Sequence, residues 1–260
     1  MIRIALGIEY DGSRYCGWQR QSHSPSVQET LEKALSGIAD HPVTVTCAGR
    51  TDTGVHAVCQ VVHFDLRGQR PERAWLLGGN TRLPDDVSIV WAREVADDFH
   101  ARFSAEVRSY RYVILNRATP RAVLAKRVTW IYHPLDAEPM AEAARYLLGE
   151  HDFTSFRAAG CQANSPVKTI ESIAVRRSDD FIYLDVRASG FLHHMVRNIA
   201  GTLIAIGQGE RPVDWVPELL AQRDRRCAGI TAPPHGLYFT GVRYPARFGV
   251  EAVGPTVVYG

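Results

Sequence analysis

Residues 43–66, VTVTCAGRTDTGVHAVCQVVHFDL, contain two segments in which apolar and polar residues alternate, with a polar loop between them. The alternation predicts β-strands over 43–48 and 60–66, because successive side chains of a strand point to opposite faces of the sheet. The stretch AGRTDTGVHAVC, residues 48–59, is a dozen residues long and runs from the end of the first predicted strand to the start of the second. A hairpin needs far fewer residues, and long loops more often carry function. The loop is therefore the first place to look for a site.

Outward from these strands, the rest of the first hundred residues predicts further regular elements. Alternating apolar residues predict strands over 2–10 and 87–95. Ser24 and Pro25 offer a helix cap and a first-turn proline ahead of apolar residues at helical spacing, and Pro71 opens a second helix. The predicted order is β-α-β-β-α-β.

The second half of the chain predicts the same order. It gives strands over 107–115, 167–177, 181–189 and 237–244, a helix capped by Asp136, a long helix over 191–207 and a short helix over 213–222. The sequence thus predicts an α+β fold of two ferredoxin-like halves, each an antiparallel sheet with helices on one face. With a boundary near Ser104 and Ala105, the predicted domains are residues 1–104 and 105–260.

The composition is that of an ordinary globular protein, with 45% hydrophobic and 22% charged residues in a chain of 260. A net charge of +2 does not by itself require a nucleic-acid partner. Three of the 30 basic residues are lysines, so 30 − 3 = 27 are arginines. Arginine suits phosphates and base stacking, but a GC-rich genome gives the same bias, and composition alone favours that explanation.

Signals for export, membrane insertion and metal binding are missing from the sequence. We find no signal-peptide pattern and no apolar stretch long enough to span a bilayer, so we expect a cytoplasmic protein. The five cysteines form no C-x-x-C pair, which predicts free thiols. The adjacent His193 and His194 would point about 100° apart on a helix, and no further ligand stands at metal-binding spacing. We therefore expect no metal.

Asp52-Thr53-Gly54 has three possible interpretations. It is the signature of an aspartic protease, but that class needs two carboxylates sharing a proton, and the chain has no second Asp-Thr-Gly or Asp-Ser-Gly. Arg50 would also favour a charged carboxylate over a shared proton. The triplet could instead form an ordinary turn, in which glycine supplies a positive φ. The third interpretation is a lone catalytic carboxylate, and the length of the loop speaks for it.

The string GRTDTGVHA, residues 49–57, closely resembles the G-R-T-D-x-G-V-H-A signature of the TruA family of tRNA pseudouridine synthases. Further segments resemble that family in the same order, namely 9–21, 83–105, 109–116, 149–156, 191–201 and 236–245. The resemblance covers nearly the whole chain. It implies a pseudouridine synthase fold in which two antiparallel sheets flank a central RNA-binding cleft.

The resemblance also implies an activity. The family isomerises uridine to pseudouridine at positions 38, 39 and 40 in the anticodon stem-loop of tRNA, without cofactor or metal. Asp52 matches the essential aspartate, which acts as a nucleophile or as a base. Tyr110 matches the active-site tyrosine, placed to stack on the uracil and to assist proton transfer at C5. Arg197 matches the basic residue that pairs with the aspartate, whereas Tyr112 is expected in the core.

The same resemblance implies a set of RNA contacts and a homodimer that binds tRNA across both subunits. A uridine within a stem must be flipped out before it can react, and Arg50 matches the arginine that helps to hold it out. Two further segments match RNA-contacting regions, and their residues are Phe99, His100, Ala101, Arg102, Phe103, Gly160, Cys161, Gln162, Ala163 and Asn164.

A function from another class is a non-catalytic RNA-binding module built on RRM-like sheets. Such a module would show exposed sheet aromatics in an RNP1-type string, and the sequence has none. It would also have no use for Asp52, Arg50 and Arg197 together.

Overall fold

The computed structural model describes residues 1–254, 257 and 259. Its strands are β1 (Ile2–Tyr10), β2 (Thr46–Cys47), β3 (His56–Leu66), β4 (Val87–Val95), β5 (Val107–Asn116), β6 (Thr129–Ile131), β7 (Gly149–Asp152), β8 (Val167–Ser178), β9 (Phe181–Ala188), β10 (Leu237–Arg243) and β11 (Glu251–Val253). Its α-helices are α1 (Val27–Ala39), α2 (Ala137–Arg145), α3 (Met195–Gly207) and α4 (Trp215–Gln222). The predicted α+β class, with helices and mostly antiparallel strand pairing, is confirmed.

The chain forms two compact units. The first holds Met1–Arg108 and, within the described residues, the stretch 238–254. The second holds Ser109–Leu237 and residues 257 and 259. The predicted domain limits, 1–104 and 105–260, stay a prediction.

In the first unit, β1 pairs antiparallel with β3 on one side and with β4 on the other. β2 pairs antiparallel with β3, so β3 lies between β1 and β2 in a split β-α-β arrangement. β10 adds a parallel pairing at the start of β3, with Tyr238 opposite His56, and β11 pairs antiparallel with β10. Helix α1 buries Leu31 and Leu35 in the core, as their helical spacing predicts.

In the second unit, the strand order is β5-β9-β8-β7, and β6 pairs parallel with β5. β8 and β9 form a hairpin whose turn contains Asp179 at a φ of 48°. Asp136 caps α2 by accepting a hydrogen bond from the Glu138 N–H, as predicted. Helices α2 and α3 pack against each other, and α3 is buried along most of its length.

Strand β3 begins at His56, four residues earlier than predicted, and three further elements differ from the sequence prediction for local reasons. Helix α1 is capped by Ser26, not Ser24, because the Ser26 hydroxyl accepts from the Glu29 N–H. Strand β2 is shorter than 43–48, because the N–H groups of Val43 and Val45 bond to side chains of α1 instead of to a strand. Helix α3 begins at Met195, since His194 has a left-handed φ of 61° that a right-handed helix cannot continue.

Two expectations from composition can be compared with the structure. All five cysteines are free thiols, as predicted. Within the part of the chain that the structure describes, no helix combines the length and apolar character needed to cross a bilayer.

Candidate active site

Asp52 opens a tight turn between β2 and β3. The Val55 N–H donates to the Asp52 carbonyl at 3.2 Å, and Gly54 in the third position has a φ of 75°. A type II turn requires a positive φ at this position, and glycine adopts it without strain. The turn interpretation of Asp-Thr-Gly is therefore correct for the backbone. It does not compete with a catalytic role, because the turn bond uses the backbone carbonyl of Asp52 and not its half-buried side chain.

We call residues 52–55 the Asp52 turn. Side chains of β1 and β3 hold the chain just before it. The buried Thr51 hydroxyl bonds to the Tyr10 hydroxyl at 2.7 Å, and burial raises the Tyr10 pKa. The Gln60 side chain donates to the Gly49 carbonyl at 2.6 Å and accepts from the Gly49 N–H at 3.4 Å. These bonds, one buried and two partly buried, fix the loop that carries Asp52.

The end of the turn is fixed by His56, which is buried at the start of β3. Its Nδ1 accepts from the Gly12 N–H at 3.1 Å. Its ring stacks on the Tyr238 ring of β10, with centroids 4.7 Å apart. Sequence reasoning assigned no role to His56, although it belongs to the GVHA part of the string.

Arg50 and Arg102, both predicted to contact RNA, belong to the first unit, and the charge of each acts on Cys47. The guanidinium of Arg108 donates to the carbonyls of Ala48, at 3.0 Å, and Arg102, at 2.6 Å, and so joins their two segments. Burial raises the Cys47 pKa to about 12, and the charges of both Arg50 and Arg102 act on this thiol in the opposite direction. Arg50 itself is exposed.

Segment 99–103 presents only part of its predicted contact set to solvent. Phe103 is 77% exposed and stacks on the His100 ring at a centroid distance of 4.3 Å. The Arg102 guanidinium lies 5.5 Å from the Phe103 ring centroid. Phe99 and Ala101 are fully buried, and their backbone groups bond within the protein, so the structure does not present them to solvent and their RNA contacts stay predictions.

The Nδ1 atom of His100 holds the backbone of the exposed Arg102 and Phe103. That atom accepts from the N–H groups of Arg102, at 3.2 Å, and Phe103, at 3.1 Å. Burial and the nearby arginines lower the His100 pKa, which keeps the ring able to accept. The aromatic and cationic side chains are thus arranged before any RNA binds.

In the second unit, Tyr110 and Tyr112 share one face of β5. Tyr110 is 9% exposed, and the Phe191 ring packs edge-on against it at 4.9 Å. Tyr112 is fully buried and its hydroxyl bonds to Thr129 and to the Pro233 carbonyl, which confirms its predicted place in the core. Burial raises the Tyr112 pKa.

Arg197 lies in the first turn of α3 and is not a freely solvated arginine. Its Nε donates to the Ala232 carbonyl at 2.8 Å, and the Ala232 N–H donates back to the Arg197 carbonyl at 3.1 Å. The neighbouring Asn198 is buried and accepts from Thr231 at 2.7 Å and from Arg225 at 3.0 Å. The predicted pairing of Arg197 with Asp52 stays a prediction.

The predicted RNA-contacting loop 160–164 is folded around Arg157. The Arg157 guanidinium donates to the carbonyls of Cys161 and Ala163. The Cys161 sulfur accepts from the His193 N–H at 3.3 Å. Gly160, Gln162 and Asn164 are exposed, as RNA contacts would require, and the contacts themselves stay predictions.

Comparison with known proteins shows which family this chain is similar to. A family model described as tRNA pseudouridine synthase matches residues 7–104 and 143–245. A protein of Hydrogenovibrio crunogenus called tRNA pseudouridine synthase A is 54% identical over 97% of both chains. Proteins of the same name from Pseudoalteromonas atlantica and Pseudomonas aeruginosa are each 58% identical over 95% of this chain, covering 94% and 87% of their own lengths.

Proposed function

Because the chain belongs to the tRNA pseudouridine synthase family, we propose that it isomerises uridine to pseudouridine in tRNA with Asp52 as its essential carboxylate. The observation that carries the assignment of Asp52 is its position. It opens a turn whose backbone is fixed by buried and partly buried hydrogen bonds, within the string by which the chain resembles the family. The non-catalytic RNA-binding module is not favoured.

The reaction breaks the bond between N1 of uracil and C1′ of ribose and forms a bond between C5 and C1′. The C5 proton is lost, and N1 gains one, so the product is an isomer of the substrate. Attack of Asp52 on ribose or base, or removal of a proton by it, needs a carboxylate held at a fixed place relative to the uridine. Tyr110 and Arg197 are proposed to assist, and neither cofactor nor metal is required by this chemistry.

We propose uridines 38, 39 and 40 of the anticodon stem-loop as targets. A paired or stacked uridine has to be flipped out, and the exposed Arg50, two residues before Asp52 in the chain, is suited to hold it out of the stack. The exposed Arg102 and Phe103, with the half-buried His100 beneath Phe103, offer cationic and stacking contacts to the surrounding RNA.

Tritium release from tRNA labelled at uracil C5 tests the proposed function. An isomerase releases tritium catalytically as the C5 proton is replaced by the new bond. An RNA-binding module would bind the labelled tRNA without release. A protease would neither bind the tRNA nor release the label.

We further propose that the enzyme is a cytoplasmic homodimer. A single chain of 28.9 kDa is small beside a tRNA, and two copies would offer a longer surface for its anticodon arm and elbow. Light scattering at micromolar protein should give about twice the mass of one chain, and cell fractionation should place the enzyme with the cytoplasm. A monomeric mass would contradict the proposed assembly.

Replacement of Arg102 by alanine should weaken tRNA binding by about 1–3 kcal/mol, if its guanidinium meets a phosphate or a base. The dependence of affinity on salt should also become shallower, because fewer counterions are released on binding. Binding isotherms at several salt concentrations provide the measurement. Arg67→Ala, which removes an exposed arginine outside the proposed contacts, is the matched control and should bind as the wild type does. Equal affinities for both variants would remove Arg102 from the RNA contacts.

A further inference from the structure

The Asp52 turn is covered on one side by residues 12–18, which we call the support segment. The Trp18 N–H donates to the Thr51 carbonyl at 3.0 Å, and the Gly54 N–H donates to the Tyr15 carbonyl at 3.4 Å. These bonds join the segment to the residue before Asp52 and to the glycine of the turn. The support segment thus contacts the turn on both sides of the carboxylate.

Two glycines allow this close approach. A Cβ on Gly17 would lie 2.8 Å from the Thr51 carbonyl oxygen and 3.2 Å from both the Asp52 carbonyl carbon and the Thr53 nitrogen. A Cβ on Gly12 would lie 1.9 Å from the Val55 carbonyl oxygen. Atoms at these distances overlap, so the turn could not keep its place beside any larger residue.

The support segment is itself fixed on its far side. The Cys16 N–H donates to the Pro25 carbonyl at 2.9 Å, and the Gln28 N–H in the first turn of α1 donates to the Trp18 carbonyl at 3.0 Å. The Trp18 side chain is fully buried, and the Tyr15 hydroxyl donates to Asp86 at 2.8 Å. Because the segment is held on its far side and the turn by its own bonds, a larger residue in the segment must displace the two against each other.

We propose that Gly12 and Gly17 are positioning residues, which set the place of the Asp52 carboxylate by allowing the support segment to pack directly on its turn. The inference rests on the proposed function, since it concerns the rate of that reaction. A shift of a few tenths of an ångström disturbs the reacting geometry far more than the phosphate contacts that dominate RNA affinity. The expected signature is loss of rate without loss of binding.

The test is Gly17→Ala, compared with Gly68→Ala as the matched control. Both glycines have a left-handed φ, 94° and 85°, so both substitutions carry the same kind of backbone strain. A Cβ on Gly68 meets no atom within 4 Å, so the control adds strain without displacing a neighbour. Gly68→Ala should melt a few degrees lower than the wild type, on the order of 2–4 °C, and Gly17→Ala lower still, because it adds the overlap with the Thr51 carbonyl to the same strain.

Pseudouridine formation is measured under single-turnover conditions well below each melting temperature, together with the tRNA dissociation constant. Gly17→Ala should react at least ~10²-fold more slowly per folded molecule, with tRNA affinity within about threefold of wild type. Gly68→Ala should keep the wild-type rate. Gly12→Ala, at a glycine whose φ is not positive, should repeat the loss of rate without left-handed strain.

Several outcomes would overturn the inference. Gly17→Ala and Gly68→Ala with equal rates would show that contact with the turn does not matter. A loss of rate explained entirely by lost tRNA affinity would assign the segment to RNA binding. A wild-type protein without tritium release would instead remove the proposed function, so the two failures are distinguishable.

Discussion

Asp52→Asn should give a folded protein that binds tRNA but forms pseudouridine at least ~10⁴-fold more slowly than the wild type. The amide keeps the size of the side chain and much of its hydrogen bonding, but it is neither a nucleophile nor a base. Loss of a covalent or proton-transfer step is expected to raise the barrier by several kcal/mol, and each 1.4 kcal/mol is about a factor of ten in rate. Single-turnover pseudouridine formation, tRNA affinity and thermal melting should be measured on the same sample.

The matched control is Asp85→Asn, which makes the same chemical change at an exposed aspartate outside the turn. It should leave the rate unchanged. If Asp52 served only the turn, its amide variant would cost about 1 kcal/mol of stability and would keep its activity. A rate within tenfold of the wild type would therefore refute the assignment of Asp52.

Asp185→Ala should lower the free energy of unfolding by about 3 kcal/mol. Asp185 on β9 receives two hydrogen bonds from Arg111 on β5, from Nε at 2.6 Å and from Nη2 at 2.8 Å. The Arg111 side chain is 9% exposed, so removal of its partner leaves a buried guanidinium without a carboxylate. Breaking such a pair from one side typically costs about 3–5 kcal/mol, and the 30% exposure of Asp185 favours the lower end.

Urea unfolding followed by circular dichroism measures this effect, with Asp180→Ala as the control. Asp180 lies 3.7 Å from Arg117, and both side chains are well exposed, so its loss should cost less than about 1 kcal/mol. Arg111 faces away from Tyr110 because neighbouring strand residues point to opposite faces. The rate per folded molecule should therefore change little in Asp185→Ala. Equal urea midpoints for the two variants would contradict this prediction and would show that water solvates the Arg111 guanidinium when Asp185 is removed.

Much of the fold could be predicted from the sequence, since hydrophobic periodicity is a local property. The alternation in β1 and the helical spacing in α1 each follow from one short stretch of chain. The length of β2 could not be predicted, because it depends on where Ser36 and Glu32 of α1 place their side chains. Bonds between residues far apart in sequence leave no periodic signal.

The candidate site, too, could be predicted only in part from the sequence. By its resemblance to the family signature, the string around Asp52 indicated this residue as the carboxylate and Arg50 as an RNA contact. Nothing in the sequence alone showed that Gly17 packs on the Asp52 turn, because a glycine required by a distant contact looks like any other glycine. Nor could the sequence separate the buried Phe99 from the exposed Phe103, since both are aromatic residues of one short segment.

The return of β10 to the first unit has a consequence for synthesis on the ribosome. The His56 ring, next to the Asp52 turn, stacks on Tyr238, yet residues 109–237 are translated between the two parts of that unit. At ~5–20 residues per second, the nascent chain waits on the order of ten seconds before this partner strand exists. The surroundings of the carboxylate are thus completed only after Tyr238 has been translated. An incomplete nascent chain, held among the tRNAs of a working ribosome, still lacks the partner strand that packs on His56.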